Sequence, residues 1–235
     1  MTDRYVGTEL ELFSAATNWK SYFASVLAPF IAGRVLEAGA GIGSNIAYLH
    51  GSAVREWTSL EPDPELARQI VDRVAASNLG ATCRVVAGTI ACIAETRRFD
   101  TILYLDVLEH IADDGGELDA AARRLAPGGH LVVLAPAHPF LFSPFDAAIG
   151  HFRRYSSASL AALVPKGCRL IVHRMLDLAG FFASLANRLL LRSAAPSPRQ
   201  IAFWDGVLVP LSRGLDAATG RRFGKTVVAV WQYAP

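Results

Sequence analysis

Apolar and polar positions change period several times along this chain. From about Thr8 to Phe30, Phe13, Trp19, Tyr22, Phe23, Val26 and Leu27 recur at roughly helical spacing. This predicts one or two helices, ended by Pro29 and Gly33. Short apolar runs then alternate with amphipathic stretches. Val35–Glu37 reads as a first strand and Ser44–His50 as a helix. Glu56–Leu60 reads as a second strand, which passes through Glu61-Pro62-Asp63-Pro64 into a helix reaching about Ala76. Cys83–Ala87 is a third strand, and Phe99–Leu105 is a fourth whose near-continuous apolar run suits a sheet covered on both faces. Glu117–Leu125 follows as a helix, Pro127-Gly128-Gly129 as a tight turn and Leu131–Ala135 as a fifth strand. Such alternation predicts an α/β fold built on a doubly wound parallel sheet, with ligands outside the carboxyl ends of the strands.

The last third is less regular. Arg169–Arg174 and Lys225–Tyr233 read as two more strands, the second rich in β-branched residues. Between them Leu178–Leu191 and Ile201–Leu215 read as helices separated by Ser193–Pro198. This insertion is too long for an ordinary connection and is expected to carry a job such as a lid. Leu178, Phe181, Phe182, Leu185, Leu189 and Leu190 give it a broad apolar surface, with Arg188 and Arg192 near its end. The favoured reading is core, either a cover over the sheet edge or a homodimer contact. An amphipathic face for a membrane or a lipid-linked acceptor is the less favoured alternative.

Composition narrows the classes. Hydrophobic residues make up 52% and charged ones 19%, which supplies a packed core for one domain of 235 residues. The net charge of +2 comes without a clustered basic footprint, so no nucleic-acid partner is expected. Cys83, Cys92 and Cys168 are widely spaced and show no metal-ligand pairing. They fit a reduced, cytoplasmic setting. The start, MTDRYVGTELEL, has neither a charged n-region nor an apolar h-region, so no secretory signal is expected.

Candidate chemistry centres on RVLEAGAGIGSNIAYL, Arg34 to Leu49. Gly39, Gly41 and Gly43 fall at alternate positions between an apolar run and a helical pattern, which suits a tight turn cradling a ligand. The spacing is not that of the dinucleotide fingerprint. Glu61 follows the second strand by one residue, where a carboxylate can accept from both hydroxyls of a ribose. Glu37 stands at the mouth of the first strand, placed to orient the turn, to face an ammonium group or simply to accept from backbone amides. Asp106 and His110 follow the fourth strand at the edge where ligands bind. After the fifth strand come His138 and Asp146 and then Gly150-His151-Phe152-Arg153-Arg154-Tyr155. A histidine there can take a proton near neutral pH, and an arginine can hold an anion bidentately. In the competing reading this is a polar loop whose arginines pair with acids.

With these pieces in order, the chain resembles a class I S-adenosylmethionine-dependent methyltransferase, closest to the type 11-like small-molecule enzymes. LEAGAGIG, SLEPDPELA, FDTILYLDVLEHI and LAPGGHLVVLAPA carry the resemblance. It implies a seven-stranded, mostly parallel Rossmann-like sheet, with residues 1–32 as an N-terminal helical cap, 33–176 as core, 177–224 as a helical insertion and 225–235 as the last strand. It implies S-adenosyl-L-methionine as cofactor, approached by Gly39, Ala40, Gly41 and Gly43, with Glu37 beside them and Glu61 and Pro62 at the ribose. Asp106 and Val107 would lie near the methionine end, Gly88 and Thr89 near the adenine, and Asn18 and Trp19 would close over the cofactor. Many relatives carry an aspartate where this chain has Thr89, so a carboxylate–adenine contact is not expected.

The acceptor is expected to be a small molecule, with His110, Arg154 and Tyr155 lining its site. For a hydroxyl acceptor His151 is the leading candidate base and His138 the second, with Arg153 orienting an anionic acceptor. An amine acceptor and a non-catalytic cofactor-binding protein are the alternatives. Asp146 and His151 offer two metal ligands without a third, so no metal is expected. A nicotinamide dehydrogenase fits the glycine spacing less well, and the Asn/Asp-Pro-Pro-aromatic motif of base aminomethylating enzymes is absent after the fourth strand.

Overall fold

A computed structural model describes residues 9–191 and 196–234. Seven strands form one sheet: β1 (Gly33–Ala38), β2 (Val54–Glu61), β3 (Cys83–Ala87), β4 (Phe99–Leu105), β5 (Leu125–Pro136), β6 (Cys168–Leu176) and β7 (Thr226–Tyr233). Their order is β3-β2-β1-β4-β5-β7-β6. The first five run parallel to one another, and β7 lies antiparallel between β5 and β6. The order reverses between β1 and β4, and a crevice opens at the carboxyl ends of strands where this happens. This is the seven-stranded, mostly parallel architecture expected from the sequence.

Helices cover both faces. α1 (Glu9–Ser14), α2 (Thr17–Leu27), α3 (Ile46–Leu49), α4 (Pro64–Ala75) and α5 (Asp114–Ala122) precede β5. α6 (Pro144–Ala148), α7 (Ser157–Ala162), α8 (Leu178–Ala186), α9 (Pro198–Phe203) and α10 (Val209–Ala218) follow it. Successive strand residues point to opposite faces, so the strands feed two cores. Val35, Leu103, Val132 and Val230 join Trp19, Tyr22, Phe23, Trp204 and Val209 on one side. Leu36, Ile102, Leu131 and Ala229 join Leu118 and Leu160 on the other.

Two local predictions shift. The helix expected over Glu117–Leu125 begins at Asp114, because the Asp113 carboxylate caps it by accepting from the Gly116 N–H at 2.9 Å. The turn expected at Pro127-Gly128-Gly129 lies within β5 as an irregularity: Leu125 pairs with Phe99, and pairing resumes with His130 on Thr101. A Cβ at Gly129 would stand 2.9–3.2 Å from backbone oxygens of Ala126, Asp100 and Phe99, so two backbones pass in close contact there.

Buried carboxylates join α2 to the insertion, through Asp205 and Asp216, and tie the insertion to itself, through Asp177. Asp205 accepts from the backbone N–H groups of Asn18 (3.1 Å) and Trp19 (2.8 Å) and from the Asn18 side chain (3.2 Å). Asp216 accepts from the Tyr22 hydroxyl (2.7 Å) and the N–H groups of Asp177 (2.7 Å) and Leu178 (3.0 Å). Asp177, in a left-handed conformation with φ of 68°, accepts from Gly180, Trp204 and Ser212 and pairs with Lys225. Phe182, Leu189, Phe203, Val207 and Leu211 remain exposed on the insertion. Arg188 donates to the Phe142 carbonyl, whereas the Leu190 side chain and Arg192 lie outside the described residues. No helix among the described residues is long and apolar enough to cross a membrane.

Replacing Asp216 with Ala strands two buried N–H groups and a phenol, so urea unfolding should show a loss of about 3 kcal/mol. Tyr22→Phe, which removes one bond and keeps the packing, should cost about 1 kcal/mol.

Candidate active site

At the end of β1 the chain bends through Gly39, Gly41 and Gly43, with φ of 63°, 57° and 70°. These are left-handed values that side chains resist. A Cβ at Gly39 would meet the Val107 methyls at 2.6 and 2.7 Å, so this glycine lets the β1 bend pack on the β4 bend. A Cβ at Gly41 would meet only Leu10, at 3.5 Å or beyond, so steric packing does not demand glycine there. Gly43 packs on Ile70, and Ala40 is buried beneath the loop.

Glu61, buried at the end of β2, fixes the bend. Its Oε2 accepts from the Gly41 N–H at 2.7 Å and its Oε1 from the Asp63 N–H at 3.0 Å. Burial raises its pKa, against the pull of those two N–H groups. Beside it, Gly88 donates its N–H to the Glu61 carbonyl, and Thr89 is exposed at the start of a short 3-10 turn. Pro62 is half-buried between Glu61 and the Asp63 cap of α4.

Glu37 points inward under the glycine bend. Its Oε1 accepts from the Asn45 side chain at 3.0 Å, and its Oε2 is buried without a hydrogen-bond partner. Burial pushes its pKa up to about 7. Lys20 of α2 reaches over the same bend, donating to Ser44 Oγ and Asn45 Oδ1 at 2.9 Å each. Burial lowers the Lys20 pKa, while Asp106 and Glu37 oppose that.

Across the switch point, β4 is followed by Asp106, whose φ of 55° is strained for a residue with a side chain. Asp106 is open to solvent at the floor of a hollow walled by protein. That enclosure raises its pKa against the attraction of His151, Lys20, Lys225 and Arg154. Asp106 therefore feels both Lys20 on the glycine side and His151 on the other.

Around His151 the side chains form a cluster. Its Nδ1 lies 3.1 Å from Asp146 Oδ1 and its Nε2 3.9 Å from Glu109 Oε1. The ring stands perpendicular to His110, with centroids 4.4 Å apart. Glu109 is fully buried, and neither of its carboxylate oxygens has a hydrogen-bond partner. Burial, reinforced by Asp106, raises its pKa well above the usual carboxylate range. Burial and His151 push His110 down to about 4, so it is neutral at physiological pH. Asp146 is held in turn by Arg154, which donates Nε to Oδ1 (2.9 Å) and a terminal nitrogen to Oδ2 (3.0 Å), and by Ser143. These contacts overcome burial and keep its pKa at about 2.

The other predicted site residues are engaged elsewhere. Arg153 bonds Asp114 at 2.6 Å and the Ala112 carbonyl at 2.7 Å. The buried Tyr155 hydroxyl donates to Asp114 at 2.8 Å. His138, at a φ of 65°, has its Nε2 2.8 Å from the Gly224 carbonyl and its ring on Phe140 and Phe181. Trp19 packs among Tyr22, Phe23 and Trp204 in the core. Sequence reasoning missed Lys20 and Glu109. Lys20 sits on a buried helix face, a place where a lysine is costly without a partner, and that was the available signal.

A methyltransferase-domain family model matches residues 12–167. No curated protein matches the chain. Among solved structures, coclaurine N-methyltransferase bound to N-methylheliamine and S-adenosylhomocysteine is 14% identical, with a TM-score of 0.62 over 93% of this chain and 72% of that one. The N-methyltransferase NodS from Bradyrhizobium japonicum WM9, also bound to S-adenosylhomocysteine, is 12% identical, with a TM-score of 0.57 over 94% and 89%. The mitomycin 7-O-methyltransferase MmcR is 16% identical, with a TM-score of 0.59 over 95% and 57%. At these identities the likeness is one of fold.

The two glycines should separate on mutation. Gly39→Ala collides with Val107 and should cost about 3 kcal/mol of stability, whereas Gly41→Ala carries only the backbone penalty of about 1 kcal/mol. Gly41→Ala should nonetheless weaken S-adenosylhomocysteine binding roughly tenfold or more in calorimetry.

Glu37 predicts a pH dependence. Between its ordinary value of 4.5 and about 7 the folded chain keeps a proton that the unfolded chain sheds. Stability from this group is therefore full below about pH 4.5 and lost as pH rises through 7, a change on the order of 3 kcal/mol. Glu37→Gln should flatten that slope in denaturation measured across the range.

Proposed function

The chain belongs to the methyltransferase-domain family, as a class I S-adenosylmethionine-dependent enzyme, and we propose that it methylates an oxygen of a small-molecule acceptor seated beside His151. Bound S-adenosylmethionine supplies an electrophilic methyl group on a sulfonium. The residues fit this cofactor. The Gly41 bend leaves room where a Cβ would stand, and Glu37 Oε2 is a buried acceptor awaiting a donor. Each Glu61 oxygen accepts one N–H and retains a lone pair for a ribose hydroxyl. Lys20 would hold the cofactor carboxylate, and Glu37 and Asp106 the ammonium end.

The observation carrying the acceptor reading is the position of Asp106, in electrostatic reach of Lys20 on one side and His151 on the other. Methyl donor and His151 would thus meet over one floor. The ionised Asp146 carboxylate is an acceptor only, so Nδ1 of His151 is the donor of that bond and Nε2 is the ring nitrogen turned toward Glu109. A hydroxyl must lose its proton to attack, and this cluster is where it would do so. Arg153, Arg154 and Tyr155 would act by holding the cluster in shape.

Calorimetry should show binding of S-adenosylhomocysteine and none of NAD, with Glu61→Ala weakening the former at least about tenfold. With a panel of phenols, sugars and amines, methylation should fall on hydroxyls. His151→Ala should lower turnover about 100-fold while changing S-adenosylhomocysteine affinity less than about threefold. Unchanged turnover would remove His151, and transfer confined to amines would move the reaction to nitrogen.

A further inference from the structure

We propose that Glu109, His110 and His151 form a binding site for a divalent transition-metal ion. One ligand atom from each lies within 4.8 Å of the others, the distance range a single ion can span. Two imidazoles and one carboxylate suit Zn²⁺, Co²⁺, Fe²⁺ or Mn²⁺ better than Mg²⁺ or Ca²⁺.

Three features separate this cluster from an ordinary polar pocket. First, Glu109 is fully buried with both oxygens lacking hydrogen-bond partners, and such a carboxylate is stable only beside a proton or a cation. Second, both histidines have their outer nitrogen engaged. His151 presents Nδ1 to Asp146 at 3.1 Å, and Asp146 is clamped by Arg154 and Ser143. His110 bonds the Gly150 backbone, with Nδ1 as its nitrogen facing that glycine. Metal-binding histidines are oriented in this way, with Nδ1–H on a carboxylate or carbonyl and Nε2 left to ligate. Third, the two segments are joined where the ligands stand, since the Phe152 N–H donates to the Glu109 carbonyl at 2.8 Å.

Use of this ion in catalysis rests on the acceptor reading above, whereas the site itself does not. A dication there would lower the pKa of an acceptor hydroxyl facing it. The released proton would leave to solvent through the hollow over Asp106. The hydroxyl oxygen would form the bond to the methyl carbon as the carbon–sulfur bond broke, leaving S-adenosylhomocysteine. His151 would then serve as a ligand, and loss of turnover in His151→Ala follows either way.

The test uses the full chain, stripped with chelator and titrated with Co²⁺ or Zn²⁺ alone. We expect one equivalent of Co²⁺ to give visible d–d bands of nitrogen and oxygen ligation. Zn²⁺ affinity should fall at least about tenfold in Glu109→Gln, which keeps shape and volume. It should fall about 10- to 100-fold in Asp146→Asn, which of the three ligands alters only the outer side of His151. His50→Ala, a histidine outside the cluster, should leave affinity unchanged. Should a variant fold poorly, the wild-type Co²⁺ spectrum and shifts of the histidine ring resonances on one equivalent of Zn²⁺ still decide. Absence of a bound equivalent in the wild type, or equal affinity in the folded Glu109→Gln protein, would overturn the site. S-adenosylhomocysteine calorimetry on the same stripped sample separates the two ideas: binding of the nucleoside without binding of metal would sink this proposal alone.

Discussion

The Glu61 carboxylate sits at the end of β2, one strand from the point where the sheet reverses its order, and the shape of the glycine bend depends on it. One oxygen holds the Gly41 N–H and the other the Asp63 N–H, so the ends of β1 and β2 are tied at one point. Asp63 in turn caps α4, accepting from Glu65 at 2.7 Å. The bend, the carboxylate and the first turn of the helix are therefore one unit. A charge-assisted bond at each oxygen is stronger than a neutral one, and it opposes the cost of burying the acid.

Buried acids elsewhere divide into two kinds, and the division separates architecture from chemistry. Asp177, Asp205 and Asp216 each have several protein donors; Asp205 and Asp216 lash α2 to the insertion, and Asp177 ties the insertion to itself. Glu37 and Glu109 are equally buried, yet Glu37 has one oxygen without a hydrogen-bond partner and Glu109 has two. A folded chain that satisfies some buried carboxylates so fully has no general shortage of donors. Glu37 lies near the end of β1 and Glu109 in the turn after β4, on either side of the switch point, where a proton or a cationic ligand can supply what the protein withholds.

Much of this was legible in the sequence, because it is local. Strand periods marked β3 and β4 to the residue, and the alternate glycines followed by Glu61 located the crevice. Contacts between distant segments were not legible. Glu109 and His151 lie 42 positions apart and meet only because β4 and β5 are neighbours and Phe152 bonds the Glu109 backbone. The arginines and tyrosine after His151 looked available for substrate, yet Arg153 and Tyr155 share Asp114 and Arg154 grips Asp146. A sequence shows how many donors a segment carries, but not which acids the fold will set against them. Pro127-Gly128-Gly129 misled for a related reason: glycines that look like a turn here permit backbone contact inside a strand.

Charge balance over the crevice gives the last step. Acids crowd it: Glu37 and Glu61 on the glycine side, Asp106 on the floor, Glu109 and Asp146 beyond. The cations nearby are largely engaged, with Arg154 on Asp146, Lys225 on Asp177 and Lys20 on the neutral side chains of Ser44 and Asn45. Burial is what raises the pKa values of Glu37, Asp106 and Glu109, and neighbouring acids add to it at Glu37, through Glu61, and at Glu109, through Asp106. A positively charged ligand on the glycine side relieves part of it, at Glu37 and Asp106. Glu109 stands deeper, beside His110 and His151, with no hydrogen-bond partner for either oxygen. The metal ion proposed above, held by Glu109 with His110 and His151, would balance that half of the site.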